Sequence, residues 1–165
     1  MNITRKYSIE LLQKLATNSL FTPTFANRNF LIDILTSEPR FTYTEGTKYR
    51  LQAGYQFSQK QNNVQYGGER STNNSINIEG KYNAVNNTSL NGRFTYTNIA
   101  YTGATNSTVS YIMLDALLPG KNFLWNLDVT KKLGNNLELN FQYEGRKPSS
   151  TRTIHTGRAS LRALL

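Results

Sequence analysis

From Thr47 onward the apolar residues recur at every second position, the spacing of strands with one apolar and one wet face. Tyr49, Leu51, Ala53, Tyr55 and Phe57 alternate with Arg50, Gln52, Gly54, Gln56 and Ser58. Ile76, Ile78, Gly80 and Tyr82 alternate with Asn77, Glu79 and Lys81, and Leu90, Gly92, Phe94 and Tyr96 with Asn91, Arg93 and Thr95. Phe123, Trp125, Leu127 and Val129 face away from Asn122, Asn126 and Asp128. Leu137, Leu139, Phe141 and Tyr143 likewise oppose Glu138, Asn140, Gln142 and Glu144, and a last strand sets Gly157, Ala159, Leu161, Ala163 and Leu165 against Arg158, Ser160 and Arg162.

Turn-forming clusters separate these runs: Asn62-Asn63, Gly67-Gly68, Asn86-Asn87, Thr102-Gly103, Pro119-Gly120, Gly134-Asn135-Asn136 and Lys147-Pro148-Ser149-Ser150. Such short connections pair consecutive strands antiparallel, and a meander follows. The segment 105–118 is apolar in both registers, with Ile112 and Leu114 in one and Val109, Tyr111 and Met113 in the other, and is expected to be a strand. In the first 46 residues, Ile9 to Ala16 and Phe30 to Leu35 read as helix or strand alike, while Pro39 with Phe41 and Tyr43 favours extended chain. A meander makes strands the expectation there too.

The charges follow the same alternation. Arg50, Glu79, Lys81, Arg93, Asp128, Glu138, Glu144, Arg158 and Arg162 all fall on the polar register, and on the apolar register Lys131 and Lys147 come only at strand ends. A charge on a lipid-facing strand costs roughly 2–4 kcal/mol at mid-bilayer and almost nothing at the interface, so a bilayer selects this pattern. A packed core selects it as well. Length separates the two, because strands of about 10–12 residues at ~3.3 Å each, tilted near 45°, span about 25 Å, the height of an outer-membrane barrel's apolar band. Usual soluble strands have about 5–6 residues. Tyr49, Tyr55, Phe57, Tyr82, Tyr96, Trp125 and Tyr143 offer rings for interfacial girdles, or for plain cross-strand packing. The expected fold is all-β: an antiparallel meander of about 8–10 long strands over a single domain, 1–165, forming part or all of a transmembrane β-barrel.

Composition agrees: ten Tyr, eight Phe and many Thr, Asn and Ser suit pleated surfaces and turns. The net charge of +9 is spread along the chain without a basic block, as on a solvated face. With no Cys, disulfides and thiolate metal sites are excluded and the redox compartment is not legible. No stretch approaches the ~20 apolar residues of a transmembrane helix, and Met1 to Asn18 lacks the apolar run of a signal peptide. An exported chain of this kind would be a piece of a longer precursor.

The residues point to no catalytic, cofactor-binding or metal-binding site. His155, the single histidine, would have to serve any His-dependent mechanism, with Ser160 or Ser150 as nucleophile and Glu144 or Asp128 as orienting acid. Their spacing supports no such set, and a strand-end or interface role is expected for His155. The scattered acids show no metal-ligand spacing, and Gly67-Gly68 and Gly103 lack the Lys and glycine spacing of a phosphate loop. Asn73, Asn87 and Asn106 begin Asn-x-Ser/Thr triplets, which arise by chance in such a composition. Rings and basic residues lie on opposite registers, which argues against a nucleic-acid stacking platform.

The stretch from Val109 to Leu165, with Leu117-Leu118-Pro119-Gly120-Lys121-Asn122, Tyr143-Glu144-Gly145-Arg146-Lys147-Pro148 and the closing 157–165, resembles the C-terminal end of large, mostly uncharacterised exported proteins of Bacteroidetes. The resemblance implies outer-membrane location, and that residue 1 is an internal position of a longer chain. It implies no activity. Outer-membrane strands commonly finish on an aromatic residue, whereas this sequence ends on Leu165. The expected role is non-enzymatic: a barrel segment that anchors, or forms a conduit in, a surface or translocation assembly. Its partners would be outer-membrane lipid and other envelope proteins, without nucleic acid. The alternative is a soluble cell-surface sheet binding a glycan or a protein.

Overall fold

The computed structural model describes residues 6–25, 28–84, 87–133 and 136–163. Eight antiparallel strands form one sheet in strict sequence order: β1 (Tyr7–Leu20), β2 (Phe30–Glu45), β3 (Tyr49–Asn62), β4 (Arg70–Ala84), β5 (Thr88–Thr102), β6 (Gly120–Lys132), β7 (Leu137–Pro148) and β8 (Ile154–Ala163). The meander is therefore present, and its strands of 10 to 16 residues reach beyond the expected length. β1 and β8 are the two edges, and the sheet is open. The ambiguous first segment is strand, as expected. The clusters at Asn86-Asn87 and Gly134-Asn135-Asn136 lie partly, and Leu165 wholly, outside the described residues.

One expectation fails. Residues 105–118 are not a strand: Thr108–Met113 form a short helix, α1, within the β5–β6 connection. The residues apolar in both strand registers include Val109, Ile112 and Met113, which at i, i+3 and i+4 share one helical face. Ser107 fixes the start through a reciprocal capping box, its Oγ accepting from the Ser110 N–H and the Ser110 Oγ accepting from the Ser107 N–H, both at 3.0 Å.

The registers carry the alternation across the whole sheet. One pairing row runs Tyr7–Tyr43–Leu51–Gly80–Gly92–Leu127–Tyr143–Gly157, all on the apolar face. Tyr7 opens β1, whereas Gly157 lies six residues before the end of β8 and three after its start, so the sheet is sheared into a parallelogram. At ~3.3 Å per residue and ~4.8 Å between strands, levelling the strand ends inclines every strand by roughly 30–45°. Pro39 interrupts the β2–β3 ladder, which passes from Ser37↔Phe57 to Arg40↔Gly54, because its nitrogen has no proton to donate.

The two ends of the sheet differ. Connections 46–48, 85–87 and 133–136 are short, and β1 begins and β8 ends on that side. Connections 21–29, 63–69, 103–119 and 149–153, at the opposite end, are longer.

No second layer covers the apolar face among the described residues. Ile9 and Leu15 are 83% and 82% exposed, and Phe41, Leu51, Ile76, Phe94, Leu139, Phe141 and Leu161 are exposed as well. The accessible area of 11638 Å² exceeds by about 40% the roughly 8,300 Å² expected of a compact folded chain of 18.7 kDa. The hydrophobic cluster sits on the other face, where Phe30 and Ile32 of β2 meet Val109 and Met113 of α1, flanked by Ile34, Tyr101 and Ile112.

Close approach fixes one glycine. Gly145 pairs with Trp125 across the β6–β7 ladder, and a Cβ at 145 would come within 2.1–2.3 Å of three indole atoms. Gly145→Ala is expected to displace Trp125 and lower stability by about 1–3 kcal/mol, read as a drop in the unfolding midpoint with a changed Trp fluorescence maximum. An unchanged midpoint and spectrum would show that the ring lies elsewhere.

Candidate functional site

The polar register builds a face of directly opposed hydrogen-bonded pairs. Thr36 meets Ser58 at 3.0 Å, Ser75 meets Thr97 at 2.8 Å, the Thr95 hydroxyl donates to Asn77 at 2.9 Å, and the Thr130 hydroxyl donates to Asn140 at 2.7 Å. Arg93 donates to Glu79 directly opposite at 2.5 Å, and Arg40 to Glu38 at 2.8 Å within β2. The Arg93–Glu79 pair is largely exposed, so such a contact contributes about 0.2–1 kcal/mol and mainly orients the side chains. The apolar face carries its charges near strand ends, at Asp33, Glu45, Arg70, Lys121, Lys131 and Lys147.

Rings of the apolar face meet in pairs across neighbouring strands. Toward the short connections, Tyr7 lies 5.1 Å from Tyr43, and Tyr49 stacks on Tyr82 at 4.8 Å. Near the middle of β6 and β7, Trp125 and Tyr143 flank His155, with the Tyr143 hydroxyl 2.8 Å from His155 Nδ1. This places His155 on the apolar register opposite Gly145, whereas Asp128, Glu144 and Ser160 lie on the polar register. Ser150 is in the β7–β8 connection. The sheet thus separates the histidine from Ser160 and both acids, and no triad assembles from these residues. Among the described residues no three His, Cys, Asp or Glu side chains group as metal ligands.

No protein-family model, curated protein or solved structure matches this chain. What the site does therefore rests on its geometry.

The most elaborate polar cluster lies where α1 docks on the polar face, and the sequence reading missed it. Lys60 of β3, with a side chain only 7% exposed, donates to Asp115 Oδ1 at 2.5 Å and to the Ile112 carbonyl at 3.3 Å. Asn73 of β4 donates to Asp115 Oδ2 at 3.3 Å. Two fully buried asparagines hold the neighbouring loops. Asn62 accepts from the Leu31 N–H and donates to the Tyr66 carbonyl and to Glu69, and Asn122 donates to the Leu118 and Gly120 carbonyls. Asn62 reads in the sequence as a turn former, and its position on the polar register at the end of β3 was the available signal. Beside Asp115 an open depression of about 420 Å³ is lined by Lys14, Thr36, Glu38, Gln56, Ser58 and Lys60 together with Leu12 and Ile34.

Proposed function

We propose that this chain is a segment of an outer-membrane β-barrel with an anchoring or conduit role in a surface or translocation assembly, structural rather than catalytic. The observation that carries the reading is the uncovered apolar face of a single-layer sheet whose opposite face is polar and hydrogen-bonded. In water that face would be a liability, while in a bilayer lipid is its second layer. A soluble sheet binding glycan or protein would need protein over the same face.

Three further features support the same reading. The shear corresponds to the tilt of membrane barrel strands, which is about 35–45°. Tyr7, Tyr43, Tyr49 and Tyr82 lie together toward the short connections, as the rings of an interfacial girdle would. Short connections at one end and longer ones at the other match the periplasmic turns and extracellular loops of such barrels. The resemblance to C-terminal ends of exported Bacteroidetes proteins points to the same place. Lipid tolerates no open sheet edge, so in the membrane β1 and β8 must be paired, with each other or with further strands.

Fractionation tests the proposal. The protein as it occurs in its cell is expected in the outer-membrane fraction, resistant to urea or carbonate washing, and is expected to aggregate when detergent is removed after purification. A monodisperse, strand-rich monomer in plain buffer would contradict it and favour the soluble binding module.

A further inference from the structure

We propose that the β5–β6 connection is a plug docked in the mouth of the conduit and that the Lys60–Asp115 pair is its latch. The conduit rests on the outer-membrane reading, whereas the latch rests on the contacts of Lys60 with Asp115 and the Ile112 carbonyl. α1 lies on the polar face at the end of the long connections, touching β2 through Phe30 and Ile32 and β3 through Lys60. The sheet's hydrophobic cluster is thus spent on holding a loop over the face that would line a lumen.

The backbone after α1 is arranged to present one carboxylate. The Ala116 N–H bonds the Tyr111 carbonyl at 3.1 Å and the Asp115 N–H bonds the Ile112 carbonyl at 3.4 Å, the two hydrogen bonds of a Schellman ending. Asp115 occupies the left-handed position where that ending favours glycine, at φ +53°, and Ala116 follows at φ +60°. A glycine at 115 would relieve the backbone but remove the group that meets Lys60.

The pair is asymmetric. Lys60 is 7% exposed and Asp115 61%. Removing the carboxylate leaves a buried ammonium with only the Ile112 carbonyl, and lifting the loop is what returns water to it. Removing the ammonium instead leaves Asp115 in water, and an apolar side chain of similar length at 60 can stay under the docked helix. The latch therefore opens on loss of Asp115 and not on loss of Lys60.

The test uses single cysteines, which the chain's lack of Cys makes unambiguous. Val109→Cys, close in size to the residue it replaces, sits at a buried position of α1, and Tyr111→Cys, at a position 67% exposed, is the control for reagent access. Maleimide labelling at 109 is expected to be slow in the parent and in Lys60→Met, about tenfold or more faster in Asp115→Gly, and slow again in the Lys60→Met/Asp115→Gly double variant. Labelling of Asp115→Gly as slow as the parent, or a double variant as open as Asp115→Gly, would overturn the latch. In planar bilayers Asp115→Gly is expected to raise conductance and the double variant to restore it. Equal conductance in variants that insert and label as expected would overturn the plug. Failure of every variant to insert would contradict the outer-membrane reading instead, while the labelling contrast would still decide the latch.

Discussion

Leu127→Arg and Phe141→Arg are expected to abolish membrane assembly, while Asn126→Arg and Gln142→Arg are tolerated. The four positions lie within two adjacent strands, and the members of each pair differ by one residue in sequence, hence by the whole thickness of the sheet. Leu127 pairs with Tyr143 and Phe141 with Val129, in the interior of the apolar face. A guanidinium there meets hydrocarbon at a cost of roughly 2–4 kcal/mol near mid-bilayer. Asn126 lies between Arg93 and Glu144, and Gln142 between Asp128 and Arg158, so an arginine at either place faces one acid and one base on the polar side. The readout is the fraction of each variant recovered folded in outer membranes. Equal recovery of all four would remove the basis for assigning the apolar face to lipid.

Ile32→Ala is expected to undock α1 without dissolving the sheet. Ile32 is fully buried and packs with Phe30, Val109 and Met113, so truncating it leaves a cavity costing about 2–5 kcal/mol. That cost falls on the loop–sheet contact, while the β1–β2 and β2–β3 ladders are backbone bonds that the substitution leaves in place. Hydrogen exchange is expected to accelerate for the amides of 107–117 and to stay slow in β2 and β3. Uniform acceleration throughout the sheet, or none in 107–117, would show that the cluster does not hold the loop.

The strands were legible because period two is a local property. Tyr49 to Phe57 and Leu137 to Tyr143 each declare a strand and its faces without reference to any partner, and the pairings keep every one of those faces. Helix α1 was not legible in the same way. Six residues are too few to announce a 3.6-residue period, and an isolated helix of that length is unstable in water without docking. Ser107 and Ser110 hold the local signal, but in a chain this rich in serine and threonine it does not stand out. Lys60 continues the polar alternation of Arg50, Gln52, Gln56 and Ser58 and so reads as a solvated charge. The groups it bonds, Ile112 and Asp115, lie 52 and 55 residues later in the chain, and no local pattern carries those contacts. The separation of His155 from Ser160 was readable from their opposite parity in the last strand.

Contact of the apolar face with lipid is the claim on which the other functional readings depend, and spin labels placed singly at 124 to 129 of β6 in the membrane-reconstituted protein test it most directly. Lipid contact predicts a two-residue alternation, with labels at 125, 127 and 129 accessible to dissolved oxygen and those at 124, 126 and 128 shielded from it. Labels at 125, 127 and 129 shielded from oxygen, or accessible to a water-soluble nickel reagent, would contradict it.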